Sequence, residues 1–336
     1  KLLSQVSYKV LKQKPKKIVA ITGTNGKSSI ADFYYQILNL NSKKVASIGT
    51  IGIKHRNKKS SLINTTSDPI QLSSILQNLI KKKIEYVIME ASSHGLKQNR
   101  LDGLLFDIGI FTNLSHDHLD YHKNLNNYLN AKLYLFKNLI KKKGTVITDS
   151  SIPQFSKIKK IVKKKKLKLL TVLNKNSDLE LVSHHYENNY QILEIKIRNK
   201  KYIIKLDLIG KIQVKNVLMS ILAAIKSGVD INSITKSIIH LKPAEGRLEK
   251  IGELKNNSKV ILDYAHTPQA LSTVLTNIKE QFPEGKIRLV FGCGGDRDKS
   301  KRLKMGRIAS KFADVIYLTD DNPRSENPQK IRSDIK

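Results

Sequence analysis

Residues 18–29 read Ile18-Val19-Ala20-Ile21-Thr22-Gly23-Thr24-Asn25-Gly26-Lys27-Ser28-Ser29, an apolar run that passes directly into a glycine-rich turn. The run predicts a buried strand, and the turn predicts the start of a helix. In that arrangement backbone N–H groups at the helix N-terminus face an anion. The Lys27 ammonium then reaches a terminal phosphate, and the Ser28 hydroxyl can hold Mg²⁺. The stretch therefore predicts a phosphate-binding loop and the use of ATP or GTP.

The spacing of this loop is a variant of the common one. The general pattern Gly-x4-Gly-Lys-[Ser/Thr] requires glycine five positions before Gly26, where this chain has Ile21. A shorter form, Gly-Thr-Asn-Gly-Lys-Ser, is present instead. The alternative is an ordinary strand–turn–helix connection with a solvated Lys27. The order of strand, turn and helix favours the phosphate loop.

Length and composition indicate a globular chain. Its 336 residues correspond to about two domains, and 40% apolar residues suffice for an ordinary core. No run of ~18 apolar residues predicts a membrane span, so we expect no membrane partner. The single cysteine, Cys293, excludes a disulfide framework and fits a reducing, cytoplasmic setting.

The formal charge of +33 raises nucleic acid as a partner. Only 10 of the 61 basic residues are arginine, however, whereas nucleic-acid reading favours arginine forks. The lysine runs at 14–17, 81–83, 141–143 and 163–166 fall at the ends of predicted elements, as solvated edges do. We expect no nucleic-acid partner. The alternative is a basic nucleic-acid-binding P-loop protein, whose affinity would fall steeply with salt.

Short apolar strands alternate with helices over the first part of the chain. The predicted strands are 45–51, 86–89 and 108–112, and the predicted helices are 29–40, 71–83 and 128–142. This alternation predicts an α/β fold with a doubly wound, mostly parallel sheet. Between residues 167 and 208, strands 191–197 and 202–208 predict a small antiparallel sheet, inserted or appended, and helix 214–227 follows.

A second βα series begins after Ala244. Its predicted strands are 259–263, 287–291 and 315–318, and its predicted helices are 268–281 and 304–312. We therefore predict a P-loop-type central domain over 1–243 and a partial Rossmann-like C-terminal domain over 244–336.

Polar residues follow the predicted strands of the first domain. Glu90 ends one of them, where open α/β sheets bind ligands, and could share Mg²⁺ with Ser28. The alternative is a glutamate that interacts with a helix dipole. The segment 112–122 contains three histidines and two aspartates within seven positions, but it matches no zinc pattern. It favours a hard-metal or phosphate role for one histidine.

Three loops of the second domain also follow strands, at 263–268, 292–298 and 319–324. One such loop could be a mere turn. Three at the same sheet edge predict a ligand site that faces the nucleotide-binding domain.

Taken together, these motifs resemble the Mur ligase superfamily over residues 18–328. Within it they are similar to the branch that adds diaminopimelate to a UDP-linked muramyl dipeptide. The resemblance implies an ADP-forming acid–amino-acid ligase of cytoplasmic peptidoglycan synthesis, linked to cell shape and division and expected to be monomeric. Its substrates would be ATP, UDP-MurNAc-L-Ala-D-Glu and meso-diaminopimelate, and an acyl phosphate would form on the D-Glu carboxylate.

The resemblance also implies a role for particular residues. ATP binding falls to Gly23, Thr24, Asn25, Gly26, Lys27, Ser28, Ser29, Asn216 (adenine), Arg247 (γ-phosphate) and Asp263 (ribose). Two Mg²⁺ sites would use Ser28, Glu90, His118 and Lys132, with Lys132 of the Tyr128–Lys132 pattern carrying a CO₂-derived carbamate. Catalytic roles are implied for Lys27, Lys132, His118 and Arg247. The residues alone would place Lys132 on a helix surface.

Substrate recognition is implied for a third set. The muramyl peptide would contact Thr65, Thr66, Ser92, Gln98 and Arg100. The incoming amino acid would contact Arg297, Asp321, Asn322 and Arg324. Diaminopimelate differs from lysine by a distal carboxylate, and a guanidinium fork binds carboxylate bidentately, so residue chemistry agrees with the resemblance at Arg324.

The chain departs from the family pattern in places. His116 replaces an arginine and Gln213 replaces an asparagine, changes that affect phosphate or adenine contacts. The family's N-terminal UDP-binding domain and its later Gly-Lys-Gly-His-Glu segment are not in this sequence, so we expect a fragment. The alternatives are a folylpolyglutamate-synthase-like ligase and an inactive remnant that still binds nucleotide.

Overall fold

The computed structural model describes residues 1–11 and 13–336 and divides them into two compact units. The N-terminal unit comprises Lys1–Leu208 and Gln213–Glu245, and the C-terminal unit comprises Ile209–Ile212 and Gly246–Lys336. Within these residues no helix combines the length and the apolar character that crossing a bilayer requires.

The strands of the N-terminal unit are β1 (Lys17–Thr22), β2 (Val45–Gly49), β3 (Gly52–His55), β4 (Lys58–Ser60), β5 (Tyr86–Glu90), β6 (Phe106–Phe111), β7 (Ile140–Asp149), β8 (Lys168–Leu173), β9 (Leu179–Glu187), β10 (Tyr190–Ile197) and β11 (Lys200–Leu206). Its helices are α1 (Leu2–Lys9), α2 (Lys27–Leu40), α3 (Pro69–Lys81), α4 (Ser93–Lys97), α5 (Leu119–His122), α6 (Leu125–Tyr134), α7 (Phe155–Lys164), α8 (Ile212–Lys226) and α9 (Ile231–Ser237).

In the described part of the chain, these eleven strands form one sheet in the order β11-β10-β9-β8-β7-β6-β1-β5-β2-β3-β4. The six central strands, from β8 to β2, run parallel. The prediction of a mostly parallel, doubly wound sheet is confirmed. The predicted antiparallel sheet is also present, as strands β10 and β11 appended to one edge of the main sheet.

The core lies on both faces of this sheet because successive residues of β1 point to opposite sides. Val19 and Ile21 belong to the apolar cluster that contains α2 and α8 side chains, whereas Ile18 and Ala20 belong to the cluster on the other face. All four are at most 2% exposed. This packing fixes β1, and hence the loop that follows it, at the centre of the sheet.

The predicted helix at 128–142 is wrong at its C-terminal end. Helix α6 ends at Tyr134, a π-helical turn covers Leu135–Leu139, and β7 begins at Ile140. Ile140 pairs with Phe106, and Lys141 Nζ donates to Asp107 of β6 over 2.9 Å. The lysines that resembled a solvated last helical turn therefore begin a strand.

The C-terminal unit contains a hairpin and a parallel strand pair. The hairpin is β12 (Glu249–Glu253) with β13 (Lys259–Leu262), and the pair is β14 (Arg288–Phe291) with β15 (Val315–Leu318). Its helices are α10 (Pro268–Gln281), α11 (Lys301–Phe312) and α12 (Pro328–Ile335). A separate apolar cluster that includes Leu275, Met305 and Ile331 holds this unit together.

Candidate active site

The turn between β1 and α2 has room only for glycine at two positions. Gly26 has φ +88°, and a Cβ there would lie 2.7 Å from Asn216 Oδ1. A Cβ on Gly23 would lie 1.8 Å from Thr112 Oγ1. The backbone at these points approaches its neighbours too closely for a side chain. Asn216 of α8, predicted as the adenine contact, thus lies against the loop.

The segment that follows β6 holds the loop in place. Thr112 Oγ1 donates to Asn25 O over 2.6 Å, and Asn25 N donates to Asn113 Oδ1 over 2.9 Å. Thr24 Oγ1 accepts from Ser115 N over 3.0 Å. The sequence analysis assigned no role to Thr112 or Asn113. Their position at the end of a predicted strand was the available signal.

The Nζ atoms of two lysines converge on one carbonyl of the loop. Lys27 Nζ donates to Gly23 O over 3.0 Å and to Thr24 O over 2.8 Å, and Lys132 Nζ donates to the same Gly23 O over 2.8 Å. Lys132 is 1% exposed and lies 4.1 Å from the centre of the Tyr128 ring, so its expected surface position is wrong. Burial, and then the charge of Lys27, lower the pKa of Lys132 well below its usual value.

Glu90 is the last residue of β5 and is buried. Its Oε1 accepts from Ser28 Oγ and from Thr50 N, each over 2.9 Å, and its Oε2 accepts from Thr50 Oγ1 over 3.2 Å. Ser92 caps α4, so Glu90 precedes that helix, and its carboxylate lies instead at the first turn of α2, where Ser28 is. The sequence analysis missed Thr50, although it directly follows β2 at the same sheet edge.

The predicted muramyl-peptide residues lie together beside Glu90. Thr66 Oγ1 donates to Glu90 O over 2.8 Å and accepts from Ser92 N over 2.9 Å. Arg100 donates to Thr66 O over 2.6 Å and to Gln98 Oε1 over 2.8 Å. The hydroxyl of the fifth, Thr65, lies 3.0 Å from that of Thr50. The structure thus joins all five residues to Glu90 through hydrogen bonds.

Three imidazoles lie near this patch. The His94 ring centre is 4.9 Å from that of His118 and 5.4 Å from that of His122. Burial lowers the pKa of all three, and that of His122 falls to about 4, so they are neutral near pH 7. Over residues 1–11 and 13–336, no group of three or more His, Cys, Asp or Glu side chains is placed to hold a metal ion. His118 lies 6.1 Å from Tyr128, the ring that covers Lys132.

In the C-terminal unit, Arg247 and Asp263 lie at the start of the loop formed by residues 263–268. The Arg247 guanidinium stacks 4.6 Å from the Tyr264 ring centre. Asp263 accepts backbone hydrogen bonds from Leu248 and Ala265, each over 2.8 Å. Burial raises the pKa of Asp263 despite these bonds.

The two other loops of this unit follow the paired strands β14 and β15 and contact each other. Arg324 donates to Gly295 O over 2.7 Å, and Gly295 N donates to Asn322 O over 3.1 Å. Arg297 and Asp321 are exposed on the same loops. The predicted amino-acid contacts are therefore on adjoining loops at one end of a strand pair.

Two domain families match this chain. The Mur ligase middle domain matches residues 21–224, and the glutamate ligase domain of Mur ligases matches residues 246–336. The chain belongs to the Mur ligase family. It spans about two thirds of the length of the curated Mur ligases described next.

Similar Mur ligases include two curated relatives. The UDP-N-acetylmuramoyl-L-alanyl-D-glutamate–2,6-diaminopimelate ligase of Rickettsia montanensis is 41% identical over 329 residues, which cover 96% of this chain and 67% of the relative. The enzyme of that name from Zymomonas mobilis is 39% identical over 321 residues, covering 96% and 66%.

Solved structures of related enzymes share the fold of this chain. A structure with that ligase name superposes with a TM-score of 0.76 at 31% identity, covering 99% of this chain and 68% of that one. Folylpolyglutamate synthase of Mycobacterium tuberculosis, solved with ADP and AMPPCP, superposes with a TM-score of 0.80 at 14% identity over 99% of this chain and 82% of that one. At that identity the second likeness concerns the fold alone.

Proposed function

We propose that this chain is an ATP-dependent ligase that joins meso-2,6-diaminopimelate to the D-Glu carboxylate of UDP-MurNAc-L-Ala-D-Glu in peptidoglycan precursor synthesis. Relatives named for these substrates match almost the whole chain. One observation carries the proposal: hydrogen bonds run without a break from Ser28 of the phosphate loop through Glu90 to Thr66 and Arg100. A nucleotide-phosphate site therefore adjoins a polar patch with an arginine suited to an anionic peptide.

The reaction would proceed in two transfers. The terminal phosphoryl group of ATP passes to the substrate carboxylate, and ADP leaves. The amine of diaminopimelate then attacks the acyl phosphate, the amide bond forms, and phosphate departs. Lys27 and the loop N–H groups would bind the phosphates and offset the charge that develops on them.

The residues around the loop fit the proposed Mg²⁺ and carbamate. Ser28 Oγ and Glu90 Oε1 are adjacent, buried oxygens of the kind that Mg²⁺ binds. Lys132 has a buried amine with a lowered pKa, and the neutral amine is the form that attacks CO₂. Bound there, Mg²⁺ would neutralise phosphate charge, and the carbamate would supply a further carboxylate ligand together with His118.

The test is a reaction of the chain itself with ATP, UDP-MurNAc-L-Ala-D-Glu and meso-diaminopimelate, followed by mass spectrometry of the tripeptide product and an ADP assay. We expect product with diaminopimelate and much less with L-lysine, and none for Lys27→Met. Amide formation on a folate substrate with L-glutamate would instead support a folylpolyglutamate-synthase-like enzyme. ATP binding without product from either substrate pair would indicate the inactive remnant.

A further inference from the structure

The lysine runs of the sequence meet at one edge of the main sheet. The six central strands are parallel, so their C-terminal ends, with the phosphate loop and Glu90, lie at one edge, and their N-terminal ends lie at the opposite edge. At five of these strands, lysines either precede the strand closely or form its first residues. From β2 across to β8, the lysines lie in residues 43–44, 81–83, 14–17, 141–143 and 163–168, which we call the lysine edge.

The strand starts at the lysine edge lie close to one level. Lys17 and Val45 both pair with Tyr86, whereas Lys168 pairs with Thr145, which is aligned through β6 with Val19, two residues further into the sheet. Six strands at a spacing of about 4.8 Å extend over roughly 24 Å. The lysine edge is therefore a broad row rather than a groove.

Most of the positive charge of the lysine edge is exposed to solvent. Of its sixteen lysines, twelve are exposed. Asp107, at the start of β6, accepts from Lys141 over 2.9 Å and lies 3.8 Å from Lys17, and Glu85 is exposed in front of β5. These carboxylates offset only part of the positive charge, so the row attracts a polyanion.

Exposed leucines lie among the lysines. Leu105 directly precedes β6, the central strand that does not begin with lysines, and it is 47% exposed. Leu40 ends α2 next to Lys43 and Lys44 and is 43% exposed. Lysines interspersed with exposed apolar side chains are typical of surfaces that bind at a lipid headgroup layer.

The residue types of the lysine edge are less typical of a nucleic-acid-binding surface. None of its basic residues is arginine, and readers of nucleic acids use arginine forks or stack bases on exposed aromatic rings. Tyr86, at the start of β5, is 3% exposed, with Lys16 Nζ 5.9 Å from its ring centre.

We propose that the lysine edge docks the N-terminal unit on the surface of an anionic lipid bilayer. This inference goes beyond the ligase reaction and replaces the expectation that the chain has no membrane partner. The bilayer would contact the strand N-termini, and the phosphate loop at the opposite sheet edge would stay accessible to substrates. Because the attraction is electrostatic, it should weaken as salt screens it.

The experiment is co-sedimentation of the chain with phosphatidylcholine vesicles that contain 0, 20 or 40% phosphatidylglycerol, at 50 and 300 mM salt. We expect binding that requires phosphatidylglycerol and falls with salt. The triple variant Lys44→Gln, Lys142→Gln, Lys164→Gln should bind at least about tenfold more weakly, since each lysine near a charged surface contributes substantially. Ligase activity without vesicles should stay unchanged in this variant.

A matched control removes the same charge elsewhere, with Lys175→Gln, Lys205→Gln and Lys255→Gln, all exposed and outside the lysine edge. Equal weakening in both triples would overturn the proposal in favour of unspecific attraction, and so would an absence of vesicle binding at 50 mM salt. Leu105→Ser should reduce vesicle binding roughly threefold. Tighter binding to duplex DNA than to vesicles, insensitive to Leu105→Ser, would identify a nucleic-acid surface instead.

Discussion

Ser28 Oγ donates a hydrogen bond to Glu90 Oε1 over 2.9 Å, although the two residues are 62 positions apart in the chain. Ser28 lies in the first turn of α2, the helix after β1, and Glu90 ends the neighbouring strand β5. Strand pairing sets Ile21 opposite Glu90, so the sheet itself brings the two oxygens together. A cation at this point would therefore be held by rigid elements.

Replacing the Glu90 carboxylate by an amide should raise the Mg²⁺ requirement. Glu90→Gln keeps the size of the side chain and an oxygen that accepts a hydrogen bond, but removes the negative charge that favours a divalent cation. We expect the Mg²⁺ concentration for half-maximal activity to rise at least about tenfold. The measurement is a Mg²⁺ titration of ADP release, with the exposed Glu85→Gln as the control. An unchanged Mg²⁺ curve would remove Glu90 from the cation site.

A methyl group at Gly49 should inactivate the site without unfolding the chain. A Cβ at Gly49 would lie 2.3 Å from Glu90 Oε1, so Gly49→Ala must displace the carboxylate. We expect activity to fall at least about a hundredfold while the melting temperature changes by only a few degrees. Gly252→Ala is the control, because nothing lies within 4 Å of its added Cβ. Normal turnover by Gly49→Ala would show that the position of Glu90 is not critical.

Removing the Lys132 amine should abolish activity in a way that a small carboxylate can repair. Lys132→Ala opens a buried space next to Gly23 O and the Tyr128 ring, and acetate or formate could supply there the charge that a carbamate would provide. The assay is ADP release at increasing acetate concentration, compared with chloride at equal ionic strength. Lys137→Ala, exposed and five residues further on, should behave as the unaltered chain. Full activity of Lys132→Ala without any added anion would exclude a role in catalysis.

Substitution of Arg324 should affect diaminopimelate more than ATP. Arg324 lies in the loop after β15 and donates to Gly295 O, which fixes the guanidinium near the neighbouring loop. We expect Arg324→Ala to raise the KM for diaminopimelate at least about thirtyfold, since a bidentate pair to the distal carboxylate is lost, and to leave the KM for ATP within about twofold. Arg324→Lys should recover only part of the loss. A change in the ATP constant alone would assign Arg324 to the nucleotide.

The sequence predicted the phosphate loop and the parallel sheet because both rest on local patterns, an apolar strand followed by glycines. It predicted the position of Glu90 for the same reason. The burial of Lys132 and the role of Thr50 depend on which strands become neighbours, and no local pattern specifies that order. The change from α6 to β7 was missed because the lysines at 141–143 are compatible with either a helix end or a strand edge until Asp107 is placed beside them.

The stability of the C-terminal unit should fall in acid through Glu326. Arg302 of α11 is 1% exposed and donates to Glu326 and to Asp334 of α12, each over 2.8 Å. The hydrogen bond from Arg302, with others, lowers the pKa of Glu326 to about 2 in the folded chain. A carboxylate with a depressed folded pKa contributes stability above its unfolded pKa and loses it as pH falls through the folded value. We therefore expect protection of the α12 amides from hydrogen exchange to decrease between about pH 4.5 and pH 2. In Glu326→Gln this dependence should flatten, whereas the exposed Glu284→Gln should keep it, and an equal slope in all three proteins would show that other groups cause the acid sensitivity.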